Sequence, residues 1–507
     1  MFIDCSTLTG TQEITADLCI VGAGAAGITL AKELIGSGLS VCLLEAGGYT
    51  PDESDQTLSN AVNTGSSYRG LNLRARAFGG NTHYWAGMCA PLAPDDFESR
   101  SWIDDTGWPI QRETLDPYYR KAQRTCEVGA FEYDAQTISD RRGVPTLPLD
   151  EEQVETIVYQ NSPPTRFGTT YRTDFADQHE ITVYLHAALT KVELNDAKTS
   201  VTSITARSTN ARLNIVATRF CFAMGGIENA RHLMILAQQE GLSLDGESDR
   251  LGQFLEHPHY GPGAYALLRG WDNHRMYRMT SIDTYDDDFP DGKRARVFGG
   301  LSLTAEARAR AQLPAHACTL VEVQIDDEIR FADADTAPAL ASIKPLLGQG
   351  DGEFKLYKLN MRCEQRRVPA CRLRLSDEVD ELGLPIPELN WLVSDEDHEA
   401  YHQTLIQIGA ALGKSGLGRL YTPMSHGRVY SPDPPEGGWH HMGTTPMSES
   451  PMDGVVDKDC RLHALDNLYI AGSSVFPTGG YVNPTLTIVA LAHRLSEHLI
   501  ISWGIDA

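Results

Sequence analysis

Short apolar runs alternate along this chain with Gly-rich turns and longer stretches of helical spacing. Residues Ala16 to Val21 (ADLCIV) form one such run, as a parallel strand covered on both faces requires. Ile28 to Leu34 follows with helical spacing, and Ser40 to Leu44 (SVCLL) is a second buried strand. Phe220 to Met234 (FCFAMGGIENARHLM) predicts a short strand, a glycine turn and a helix. Leu468 to Leu491 (LYIAGSSVFPTGGYVNPTLTIVAL) predicts strand, turn, loop and a helix beginning near Asn483-Pro484-Thr485, since proline suits a helix's first turn. Between these, Pro369 to Trp391 holds two short apolar strands around a turn-rich centre, and His398 to Leu412 has helical periodicity that stops at Gly413, Gly416 and Gly418. The acidic stretch Asp326 to Asp335 and the Gly-rich segment Gly348 to Gly352 predict surface loops.

The first strand and helix frame Gly22-Ala23-Gly24-Ala25-Ala26-Gly27, a G-x-G-x-x-G turn. Its first glycine permits the tight turn, the second lets backbone approach a pyrophosphate, and the third lets helix and strand pack closely. Backbone N–H groups at the helix start can then meet the phosphates. Glu45 ends the second strand, placed as the acid that accepts from a ribose diol about 20 residues on, and an acid there disfavours a 2′-phosphate. The fingerprint alone leaves FAD and NAD both open.

Composition narrows the picture. At 507 residues the chain exceeds one compact core, so two or three domains are expected. The formal net charge of −25 argues against a nucleic-acid surface, while backbone amides can still hold an anionic dinucleotide. No apolar run approaches the about 20 residues of a membrane span. Met1 to Cys5 lacks the pattern of a secretory signal, so a cytoplasmic location is expected. The ten cysteines show neither C-x-x-C nor zinc spacing and predict buried thiols in a reducing compartment. No metal site, haem attachment motif or iron–sulfur ligand set is expected.

Four more segments carry chemistry. They are Arg74 to Leu92 (RARAFGGNTHYWAGMCAPL), Leu251 to His259 (LGQFLEHPH), Gly438 to Thr444 (GWHHMGT) and Asn483-Pro484-Thr485. With the glycine turn, Glu45-Ala46-Gly47-Gly48, Gly454 to Asp457 and Arg461 to Leu468, these resemble the glucose–methanol–choline (GMC) family of FAD oxidoreductases. The resemblance runs from Asp17 to about Leu499, with a weak middle.

It implies an α/β fold, α+β overall: a doubly wound FAD-binding domain assembled from 13–110, 180–260 and 455–507. A substrate domain of antiparallel sheet plus helices would take 111–179 and 261–454, including the catalytic His segment. FAD would lie against Gly22, Gly24, Ala25, Ala26, Gly27, Glu45, Ala46, Arg76, Gly79, Gly80, Asn81, Thr82, Trp85, Leu189, Gly225, Ala471, Gly472, Asn483, Pro484 and Thr485. By the family's H-x-x-G-T spacing, His440 rather than His441 is the base, with Asn483 as its partner. Adjacent residues on extended backbone point to opposite sides, so one of the two histidines is expected to face the cofactor.

Alcohol oxidation by a flavin needs a hydride acceptor and a group to take the hydroxyl proton. A neutral imidazole suits the second task, and a neighbouring amide can steady the developing alkoxide. Thr82-His83-Tyr84-Trp85 places Tyr84 where the family's T-H-W triplet carries its flavin-bonding histidine, so non-covalent FAD is expected. His257 and His259 would share a strand face, with His257-Pro258 read as a structural part of the nucleotide region. The substrate implied is a small-molecule alcohol, a secondary hydroxyl of a pyranose or glycoside as in the pyranose oxidase and glycoside 3-oxidase branch. Electrons would pass to O2, a quinone or a separate redox carrier. Non-sugar or sterol-like alcohols, an NAD-dependent dehydrogenase and an inert FAD-binding protein are the alternative readings.

Overall fold

The computed structural model describes residues 1–246, 248–269, 275–278, 283–284, 295–332, 336–347, 354–422, 424–425, 428–429 and 435–505. The apolar run at Ala16 is the end of a longer strand, Gly10–Val21, whose first half alternates exposed and half-buried residues before its last four become fully buried. This strand lies at the middle of an eight-stranded sheet. It pairs in parallel with Val41–Leu44 on one side and Ala211–Phe222 on the other. Ile181–Leu185 and Phe2–Asp4 extend the first side in parallel, and Leu468–Ile470 pairs in parallel with Ala211–Phe222. Val201–Arg207 and Ala188–Leu194 add an antiparallel edge.

The chain therefore leaves the central strand toward opposite edges, which opens a crevice at the strands' carboxyl ends, the ligand position in open α/β sheets. Three helices pack here. Ala25–Glu33 and Gly225–Glu240 each follow a sheet strand through a glycine turn, and Thr485–Ser502 lies against the first of them and against Arg112–Thr125.

The second sheet has nine strands, all antiparallel, in the order Gly418–Tyr421, Pro258–Arg269, Phe354–Cys363, His316–Glu322, Ala295–Leu303, Val154–Asn161, Met88–Cys89, with two short strands at its margins. It has its own apolar core, in which Tyr260, Tyr401, Leu405 and Ile408 pack together. Helix Asp395–Lys414, held by a Ser394/Asp397 capping box, covers it. The expected α/β arrangement with a second antiparallel sheet is thus the observed fold.

Two expectations change. The acidic stretch is partly helical, Ile325–Phe331, with Asp326, Asp327 and Glu328 in the first turn; acids there meet the positive end of the helix dipole. Residues 333–335, like the Gly348 to Gly352 segment, lie outside the described residues. The hairpin Arg372–Val379/Pro385–Asn390 forms as expected, but it joins Val62–Asn63 in a small separate sheet rather than the nine-stranded one. Its Leu373, Leu389 and Trp391 belong to the core of the first sheet. Arg231 secures it by pairing with Asp380 at 2.7 Å and donating to the Pro385 carbonyl at 2.8 Å. All ten cysteines are buried and free.

Candidate active site

A cavity of about 860 Å3 runs from the glycine turn to His440, toward the upper end of the about 300–1,000 Å3 typical of ligand pockets. At the turn, backbone crowding explains the residue types. A Cβ on Gly27 would sit 1.9 Å from the Gly22 carbonyl oxygen, and one on Gly80 2.8 Å from the Gly24 Cα. Helix and strand, and then helix and loop, close to distances that a side chain would forbid.

Glu45 sits at the cavity wall, its two oxygens accepting from the Ala23 and Gly47 amides, each at 3.0 Å. Burial raises its carboxyl above the usual range, and those amides oppose the rise. Arg76 also lines the wall and ties it to the Ser59 hydroxyl at 2.9 Å and to Glu228 at 3.2 Å. Glu228 further pairs with Arg74 and Arg231 in a buried cluster that holds its carboxyl well below the usual range.

At the other end, His440 Nε2 lies 3.2 Å from the Asn483 amide nitrogen, although the two residues are distant in sequence. The imidazole Nδ1 lies 2.8 Å from Nδ1 of His257. Burial holds His440 well below the usual imidazole range, and the His257, His259 and Arg362 charges lower it further. The preceding Trp439 has φ of +62°, a left-handed conformation rare for a bulky residue. Glu256 clamps this segment: it accepts from the His440 amide at 2.8 Å, from the His257 amide at 2.8 Å, and from the Tyr68 hydroxyl. Full burial pushes Glu256 up to about 7 against these donors. Contrary to the expectation that one of the two histidines faces the site, His441 lines the cavity as well; its ring packs against Tyr68 and Phe254, and burial lowers it to about 3.

Most of the sequence-selected residues meet in this cavity. Gly22, Gly24, Ala25, Ala26, Glu45, Ala46, Arg76, Gly80, Asn81, Thr82, Trp85, Leu189, Gly225, Gly472, Asn483, Pro484, Thr485 and His440 all line it. Gly27, Gly79 and Ala471 stand behind the wall: Gly27 packs on the turn, Gly79 backs onto Gly168, and the Ala471 carbonyl accepts from Asn229 at 3.1 Å. His83 does not line the cavity; its Nε2 lies 3.0 Å from the Phe78 carbonyl, to which it can only donate.

Sequence reading missed Glu256 and the contact of His257 with His440. The L-E-H-P-H run was visible, but nothing in it showed that two of its side chains face a segment far along the chain. Arg362 was missed as well, an ordinary basic residue in a strand. It is the cross-strand partner of His259 and lines the cavity with it. Its Nε and Nη1, with His259 Nε2 and Asn161 Oδ1, are buried without hydrogen-bond partners.

A two-sheet fold with a glycine turn at one end of the cavity and an imidazole–amide pair at the other is the arrangement expected of a flavin-dependent oxidoreductase. Comparison with known proteins agrees. A GMC oxidoreductase family model matches residues 368–492. The chain is similar to the fructose dehydrogenase large subunit of Gluconobacter japonicus, 24% identical over 96% of this chain and 98% of that one. It is similar to a C-glycoside 3-oxidase of Arthrobacter globiformis, 32% identical over 23% of this chain and 21% of that one. Among solved structures, an Aspergillus oryzae formate oxidase described for its FAD modification aligns at a TM-score of 0.55 and 16% identity, over 97% of this chain and 98% of that one. Residues 368–492 thus match the GMC oxidoreductase model, and over nearly its whole length the chain is similar in sequence to a dehydrogenase and in fold to a formate oxidase.

Proposed function

We propose that this protein oxidises a secondary hydroxyl of a pyranose or glycoside to a ketone, with non-covalent FAD as hydride acceptor and His440 as general base. The observation that carries the reading is the pairing of His440 Nε2 with the Asn483 amide at the cavity end, together with an Asn483 Oδ1 that is buried without a partner.

The cavity fits FAD by its own features. The Gly24–Gly80 approach leaves no room for side chains, as a turn that would hold a pyrophosphate requires, and Glu45 lines the wall as an acceptor to which a ribose diol would donate. Ala25, Ala26, Ala46, Leu189, Gly225, Asn81, Thr82, Trp85, Gly472, Pro484 and Thr485 line the same cavity and would hold the cofactor. When bound, FAD supplies the two-electron acceptor for the substrate's carbon-bound hydrogen. His440 takes the hydroxyl proton; being neutral at pH 7, it is ready to do so. The Asn483 amide donates toward the oxygen on which negative charge develops. The engagement of His83 with the Phe78 carbonyl favours non-covalent attachment.

The nine-stranded sheet, whose Asn161, His259 and Arg362 line the cavity together with His440, forms a roof that supports an oxygen-rich substrate. Arg362, His259 and Asn161 offer buried donors and acceptors that the protein leaves unused, and such groups are costly unless a ligand or water satisfies them. The named activities of the fructose dehydrogenase and C-glycoside 3-oxidase relatives point the same way. The electron acceptor is a separate molecule: O2, a quinone or a redox carrier.

Anaerobic bleaching of the flavin by a panel of sugars, glycosides and simple alcohols tests the reading. Millimolar sugars should bleach it, and His440→Ala should abolish bleaching with flavin still bound, whereas His441→Ala should not. A panel in which no sugar or polyol bleaches the flavin refutes it. Mass spectrometry of the denatured protein should show a polypeptide without an FAD increment.

A further inference from the structure

We propose that His257 is a positioning residue that locks His440 in its Nδ1-protonated tautomer, so that Nε2 is the lone-pair nitrogen presented to the substrate. The inference rests on the reading of His440 as the base and adds a residue to it.

The argument is a count of protons along a chain of three contacts. His257 is fully buried, and its Nε2 lies 3.1 Å from the Gly479 carbonyl oxygen. A carbonyl only accepts, so that nitrogen carries the hydrogen. Burial also lowers the His257 imidazole to about 4, so at neutral pH the ring has one proton, already placed on Nε2. Its Nδ1 is therefore a lone pair. His440 Nδ1, 2.8 Å away, must be the donor in that contact. With His440 itself neutral, Nε2 is left without hydrogen, and it faces the Asn483 amide at 3.2 Å. An amide N–H donates to that lone pair, so every contact in the chain is consistent with one tautomer of each ring.

The backbone keeps the two rings in register. One oxygen of Glu256 accepts from the His257 and His440 amides, each at 2.8 Å. The rings meet nearly perpendicular, at 80° and 4.9 Å between centroids, so a nitrogen of one addresses a nitrogen of the other. When the substrate hydroxyl proton moves to His440 Nε2, the ring becomes an imidazolium. Its Nδ1–H then makes a charge-assisted bond to the His257 lone pair. His257 thus acts as the carboxylate does in a hydrolase triad, holding the tautomer and steadying the charged ring, but with a neutral acceptor. Without it, the His440 proton is free to settle on Nε2, which blocks the base.

Two measurements test this. In holoenzyme with 15N-labelled histidine, the His440 signals, identified by their loss in His440→Gln, should report a protonated Nδ1 and an unprotonated Nε2. His257→Phe removes the acceptor at similar volume. It should shift the His440 signals toward the other tautomer and slow anaerobic flavin reduction by about 10²–10⁴-fold, the scale of a misoriented base, with substrate affinity little changed. His257→Asn returns an acceptor oxygen near the Nδ1 position and should recover most of the rate. A wild-type His440 protonated on Nε2, or a flavin-bound His257→Phe that reduces at the wild-type rate, overturns the proposal. If His257→Phe fails to hold flavin, the wild-type spectrum decides alone. A His440→Ala enzyme that still bleaches would instead refute the reading of His440 as base, leaving the tautomer assignment to the spectrum.

Discussion

Asn483→Asp converts the donor beside His440 into an anion, and the consequence follows from one distance. The amide nitrogen lies 3.2 Å from Nε2. At an effective dielectric of about 20, opposite unit charges at that separation attract by about 5 kcal/mol, equivalent to about 4 pKa units. The carboxylate thus favours the protonated ring that burial and the neighbouring positive charges now disfavour. Side-chain relaxation and solvent reduce the effect without reversing its upward direction. On the proposed reading, only unprotonated His440 accepts the substrate proton. The acid limb of the pH–rate profile must therefore move to higher pH, and the rate falls about tenfold for each unit by which the new pKa exceeds the assay pH. The assay is the limiting rate of anaerobic flavin reduction from pH 5 to 10 in stopped flow, with Asn483→Ala as the control that removes the donor without adding charge. An acid limb of Asn483→Asp that stays at the wild-type position, with flavin bound, refutes the reasoning.

Removing the guanidinium, whose Nε and Nη1 lack hydrogen-bond partners among the described residues, with Arg362→Leu should raise KM for the best sugar by about 10–100-fold, as expected for charged hydrogen bonds worth about 1.5–3 kcal/mol, with a smaller effect on kcat. An unchanged KM would remove Arg362 from the substrate wall. In the roof core, burial lowers His316 to about 3, its Nδ1 bonded to the Thr404 hydroxyl at 3.0 Å. The unfolded chain protonates this residue near pH 6.5 and the folded chain does not until about pH 3, so stability is lost as pH falls through that window. By pH 5 the loss is about 2 kcal/mol. Denaturant melts at pH 7 and 5 should show that difference shrinking by this amount in His316→Gln, even though buried acids such as Asp397, raised to about 6, contribute in the opposite direction in both proteins. An identical pH dependence would exclude His316 as its source.

The glycine turn was legible residue by residue, because its steric demands are local. The collision of a Gly27 Cβ with the Gly22 carbonyl is decided within six residues, and the buried strands on either side announce themselves as apolar runs. The family motif also singled out His440 and Asn483. The edges of elements were read less well: the central strand begins at Gly10 rather than Ala16, because its exposed half carries no apolar signal. The acidic stretch read as loop contains a helix because its acids fall in the first turn, where the helix dipole favours them.

By itself, then, the sequence determined where the chain turns tightly, which segments are buried and which residue types can hold a dinucleotide, since sterics and periodicity act over a few neighbours. Tertiary structure alone decided what faces His440. His257 reaches it from the residue before strand Pro258–Arg269, His259 and Arg362 lie side by side because that strand pairs with Phe354–Cys363 in a particular register, and Glu256 reaches it because its carboxylate gathers the His257 and His440 amides. Those contacts depend on sheet register and on how buried charges are shared. Neither quantity is written in any short stretch of residues.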